Sequence, residues 1–135
     1  MSARAIAVLL CSQTRRDLSA GTLDALGIHN ARGAEKYPVE FDPMAVVALL
    51  EGGAPSVQFN FTLKLIHPGG RGVVTASTGR YKFSDAGAAE VVIKIERMRF
   101  GCPGAYRWAV FVDGAEVGST PFYVVETIGG GFLPP

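Results

Sequence analysis

The sequence is poor in the residues that carry most enzyme chemistry. Its 135 residues include two cysteines, two histidines and one tryptophan. His29, His67, Cys11 and Cys102 lie in four separate segments, whereas a zinc site gathers three or four Cys, His or carboxylate ligands at close spacing. No metal or other cofactor is expected. No nucleophile-elbow pattern is present. The stretch Gly69-Gly70-Arg71-Gly72 leads into an extended run, not the helix a phosphate loop requires. Together these absences point away from an enzyme.

Charge is also scarce. Asp, Glu, Lys and Arg make up 19% of the chain, below the usual ~25% of soluble domains. The formal net charge of +1 supplies no general field for nucleic acid or anionic membrane, and neither partner is expected. Hydrophobic residues at 48% with 17 glycines exclude a disordered chain. The apolar run Ile6–Leu10 is too short for an export signal or a span of ~20 residues. The expected location is therefore the cytoplasm, with both cysteines reduced. Asn60-Phe61-Thr62 fits a glycosylation sequon, but it lies within a strand pattern and is taken as chance.

What is present is strand pattern. Val57, Phe59, Phe61, Leu63 and Leu65 alternate with Gln58, Asn60, Thr62 and Lys64, the period of a strand with one buried face. His67 to Gly72 supplies turn formers, and Val73–Ser77 resumes an extended composition, which predicts a hairpin. Val91, Ile93 and Ile95 share one face before the apolar phase shifts to Met98 and Phe100, which predicts a β-bulge near Glu96-Arg97. Tyr106, Trp108, Val110 and Val112 form a further alternation. Asp113-Gly114 then makes a two-residue turn into the returning strand Ala115–Val125. Ala3–Cys11 and Thr22–Ile28 read as strands. Pro43–Leu50 fits either a strand or a helix capped by Asp42, and its strand-rich surroundings favour strand. The sum is an all-β antiparallel sandwich of seven to eight strands over residues 1–128, a single domain, followed by a Gly-rich tail at 129–135.

The order of these pieces carries a resemblance: Leu9-Leu10-Cys11, Leu26-Gly27-Ile28 and Tyr37-Pro38, then His67-Pro68-Gly69-Gly70, Gly104-Ala105-Tyr106-Arg107-Trp108 and Pro121-Phe122-Tyr123-Val124-Val125. Over roughly residues 3–126 this resembles a family of short, cytosolic bacterial β-sandwich proteins of unknown function. The resemblance implies an immunoglobulin-like fold and a strand at Pro43–Leu50, and it carries over no catalytic residues.

Function is expected to be non-catalytic, through self-association or as a subunit of a larger assembly. The alternative is a binding module for a small apolar ligand or peptide. The candidate interface is Phe122, Tyr123, Val124 and Val125, read as a poorly guarded edge strand, with Phe132 and Leu133 of the tail. Glu90 with Glu96, and Asp113 with Glu116, are read as solvated carboxylates, not acid–base pairs. Lys94, Arg97, Arg99 and Arg107 are read as a mildly basic sheet face.

Overall fold

The computed structural model describes residues 3–127. Twelve strands are found among them: β1 (Arg4–Cys11), β2 (Gln13–Asp17), β3 (Thr22–Leu26), β4 (Ala31–Ala34), β5 (Val39–Glu40), β6 (Met44–Glu51), β7 (Gln58–Ile66), β8 (Val73–Lys82), β9 (Ala89–Ile95), β10 (Arg99–Phe100), β11 (Gly104–Val112) and β12 (Ala115–Glu126). Eight of them make the sandwich. One sheet has the order β1-β6-β9 and the other β4-β12-β11-β7-β8, while β2-β3 and β5-β10 form two-stranded ribbons. The count exceeds the expected seven to eight because β2, β4, β5 and β10 are too short or too polar to show a period.

The connectivity defines the class. β1, β6 and β9 occupy the places of strands A, B and E, and β8, β7, β11 and β12 those of C′, C, F and G, of an immunoglobulin-like sandwich. Tyr106, near the start of the F-equivalent strand, donates its hydroxyl to the Cys102 carbonyl four residues upstream at 2.7 Å, a tie of the kind that braces the F strand of such domains.

The alternating residues set the core. Phe59, Phe61, Leu63 and Leu65 of β7 and Tyr106, Trp108, Val110 and Val112 of β11 are buried against Val46, Ala48, Leu50, Val91 and Ile93 of the facing sheet. β6 is buried on both faces. Met44, Val46, Ala48 and Leu50 enter the main core, while Ala45 and Val47 join Cys11 in a second cluster under Leu23 and Ala25 of the β2-β3 ribbon. Arg16 of that ribbon pairs with Glu90 of β9, holding it over the smaller sheet. A segment apolar on both sides loses its alternation, which is why Pro43–Leu50 could also be read as a helix; it is a strand from Met44 to Glu51.

Two local expectations change. The phase shift near Glu96-Arg97 is not a bulge. β9 ends at Ile95, Arg97 takes a left-handed φ of 59°, and the chain resumes as β10 against β5. The third strand ends at Leu26, since Gly27 at φ 69° breaks the ladder. The expected Asp113-Gly114 turn is present, with both residues at positive φ, 48° and 86°.

Candidate functional site

The proposed edge strand is flanked. Tyr123 to Glu126 of β12 pair in parallel with Ala31 to Ala34 of β4, so the stretch read as unguarded has partners on both sides. Phe122 and Val124 point into the core and line no surface. Val125 is half-buried, and its carbonyl accepts the Tyr37 hydroxyl. Tyr123 alone of the four is well exposed, at 42%. Phe132 and Leu133 lie outside the described residues. The true outer strands carry guards of the usual kinds: a register shift at Ile6 in β1, a shift at Ala76 with Arg80 and Lys82 in β8, Glu90 and Lys94 in β9, and four-residue brevity in β4.

Each histidine has its Nδ1 against a backbone carbonyl oxygen. Arg32 donates Nε to His29 Nε2 at 3.0 Å, so the ring proton sits on Nδ1, which lies 2.6 Å from the Gly27 carbonyl oxygen. The Arg32 guanidinium also donates to the Asp42 carbonyl at 2.5 Å. Burial pulls the Arg32 pKa down and the nearby Asp42 opposes that shift. This strut ties β4 to the segment entering β6 beside an open groove of about 570 Å³ lined by Ser12, Ile28, His29, Arg32, Phe41 and Asp42.

His67 and Cys102, far apart in sequence, line one hollow of about 420 Å³ together with Pro68, Gly69, Arg71 and Pro103. Sequence spacing could not place them together. His67 Nδ1 faces the Gly72 carbonyl oxygen at 3.2 Å, and its ring lies 5.4 Å from that of Tyr106. The Cys102 Sγ lies 3.8 Å from the Tyr106 hydroxyl. Burial, reinforced by the neighbouring thiol, pushes Tyr106 up to about 12. Among the described residues no group of three potential metal ligands occurs. Three of the four carboxylates read as solvated have partners: Glu90 binds Arg16, Glu116 binds Arg107 at 2.6 Å, and Asp113 accepts the Asn60 backbone N–H at 2.9 Å.

Neither cysteine is bridged; Cys11 is buried and Cys102 exposed, and burial pushes the Cys11 thiol pKa up. Alkylation of the native protein without reductant is expected to add one label, at Cys102, and a second only on unfolding. Two labels on the native protein, or none, would contradict this placement.

The outward face of the five-stranded sheet is an extended surface with a distinctive pattern. By register, Val73, Ile66, Arg107 and Pro121 form one cross-strand row, and Ala105, Tyr123 and Ala31 the next. A groove of about 370 Å³ opens there, between the His67–Gly70 turn and β11-β12. Val73 is 55% exposed. No carboxylate lines this end. Further along, the rows hold Thr75, Lys64, Ala109 and Ser119, then Thr78, Thr62, Phe111 and Glu116, then Arg80 with Asn60 and Lys82 with Gln58. Lys64 Nζ lies 4.5 Å above the Phe111 ring. The expected basic set is dispersed instead: Lys94 is on the other sheet, Arg97 in the crossing, and Arg99 on the β5-β10 ribbon.

The chain belongs to the family of unknown function DUF6941, whose model matches residues 6–125. No curated protein matches it. Among solved structures it is similar to the Pseudomonas fluorescens alkylpurine DNA glycosylase AlkC bound to DNA containing an abasic-site analogue, at 14% identity and TM-score 0.56, covering 91% of this chain and 30% of that one. It is also similar to a Listeria innocua β-glucosidase in complex with isofagomine, at 8% identity and TM-score 0.52, covering 74% and 15%. These likenesses describe the sandwich. The chain spans less than a third of either protein.

Proposed function

We propose that the chain is a non-catalytic interaction protein that self-associates through the apolar end of the outward five-stranded face. The observation that carries this reading is the row Val73-Ile66-Arg107-Pro121 beside Ala105-Tyr123. Tyr and Arg are among the side chains enriched at association hot spots, and the guarded edges leave a face, not a strand edge, as the contact. Arg107 is already neutralised by Glu116, so two copies meeting about a two-fold axis at this end do not set an unpaired Arg107 against its counterpart. Lys64, Arg80 and Lys82 point out from other rows of the same face. A second reading, binding of a small apolar ligand or peptide, draws on the hollow bounded by Pro68 and Pro103.

Light scattering across about 10 to about 300 µM, the range of weak to moderate contacts, is expected to show a mass rising above the single-chain 14.3 kDa. The exposed Tyr123→Glu change is expected to restore the monomer without altering the far-ultraviolet spectrum. A wild-type monomer throughout would sink the proposal. Removal of residues 129–135 is expected to leave the number of chains per particle unchanged; a drop to the monomer would move the contact to the tail.

A further inference from the structure

The same face has a second, independent feature at its other rows. Its strand residues present Lys64, Arg80, Lys82 and Arg107 against the single carboxylate Glu116. Counting Asp113, whose carboxylate sits at the end of the Asn60 row, four cations and two anions give this face a formal +2 on a chain whose total is +1, so all other residues together sum to −1. The charge that composition reported as near zero is segregated. Among the described residues Arg107 is the one face cation in a salt bridge, leaving Lys64, Arg80 and Lys82 without carboxylate partners. The side chains between them, Gln58, Asn60, Thr62, Thr75 and Thr78, all offer hydrogen-bond donors.

We propose that these rows bind an acidic segment of another polypeptide in extended conformation. The spacing fits such a segment. Alternate residues of a strand lie about 6.5–7 Å apart and neighbouring strands about 4.8 Å apart, so an extended peptide laid along β8 presents alternate carboxylates at the step that separates Arg80 from Lys82. A second copy does not fit, because its own rows would set cation against cation. A single-stranded nucleic acid offers a similar charge spacing but binds through aromatic platforms among the cations. Here Phe111 is half-buried beneath Lys64, and Tyr123 lies at the opposite end of the face. The inference goes beyond self-association and rests on Lys64, Arg80 and Lys82 rather than on Tyr123 and its row, so the two can fail separately.

The test is fluorescence anisotropy of a labelled peptide of about twelve residues alternating Glu and Ser, long enough to span β8, added to the full chain. Saturable binding is expected, weakening about tenfold or more between low and physiological salt as screening sets in. The Arg80→Glu/Lys82→Glu variant, and the milder Arg80→Gln/Lys82→Gln, are expected to lower affinity by at least about tenfold, while Lys94→Glu on the other sheet leaves it unchanged. The light-scattering mass of all three variants should match the wild type. No saturable binding at ~1 mM, or binding indifferent to both Arg80/Lys82 variants, would overturn the site. Tighter binding of an oligothymidylate of equal length would overturn the partner class.

Discussion

Replacing Trp108 by alanine is expected to remove ~3–5 kcal/mol of stability, the usual cost of deleting a buried aromatic, from a total of ~5–15 kcal/mol for a domain. Trp108 is 0% exposed and stacks on Phe122 at 6.3 Å between ring centroids. It faces Leu65 of β7 and Thr120 of β12 across the central ladder, so its loss opens a cavity where three strands meet. The side chain also carries a cost in the folded state, because its indole Nε1 has no hydrogen-bond partner among the described residues and a buried orphan donor forfeits ~1–3 kcal/mol of hydration. Trp108→Phe, which keeps an aromatic ring against Phe122 and removes that donor, is therefore expected to cost less than half as much. Urea unfolding with an unchanged slope would measure both. A midpoint unmoved by Trp108→Ala would put the β11 register wrong by one residue.

Gly87→Ala is expected to be nearly as damaging, by ~2–5 kcal/mol, from a left-handed penalty of ~1–2 kcal/mol and overpacking of ~1–3 kcal/mol. Gly87 has φ +76°, and a β-carbon there would stand 2.4 Å from the Gly53 carbonyl oxygen. That backbone cannot easily yield. Gly53 donates to the Gly87 carbonyl at 3.0 Å, and a β-carbon on Gly53 itself would meet the Phe83 ring at 2.4 Å. Phe83 is in turn stacked on Phe59 at 4.1 Å. Gly114→Ala is the matched control, since Gly114 has φ +86° but nothing within 4 Å of its would-be β-carbon. It should show the conformational penalty alone. Equal losses for the two variants, read from thermal or urea midpoints, would contradict the close approach at Gly87.

The fold was legible where one face of a strand is buried and the other is wet. β7 and β11 alternate cleanly because Gln58, Asn60 and Arg107 face away from the core that holds Phe59, Phe61 and Trp108. β6 was ambiguous for the opposite reason, being covered by the main core on one side and the β2-β3 ribbon on the other. β4, with the sequence Ala-Arg-Gly-Ala, has no local strand signal. It is held by pairing with residues about ninety positions away, and that pairing turned a supposed edge into an interior strand. The site was legible only in part. Tyr123 was singled out for association, but the neighbours that give it a surface, Ile66, Val73 and Arg107, come from three other strands. Strand order in space is not written in any one strand's alternation. The same gap explains the basic face: Lys64, Arg80 and Lys82 join Arg107 through the order β8-β7-β11, whereas proximity in sequence had grouped Arg107 with Lys94.

Amide shifts followed by two-dimensional NMR, as the protein is concentrated from about 10 to about 300 µM, give the most direct test of association through this face. Progressive shifts centred on Ile66, Val73, Ala105, Arg107 and Tyr123, and abolished by Tyr123→Glu, are the predicted result. Spectra that do not change with concentration, or changes confined to the β2-β3 ribbon around the 90% exposed Leu18, would contradict it.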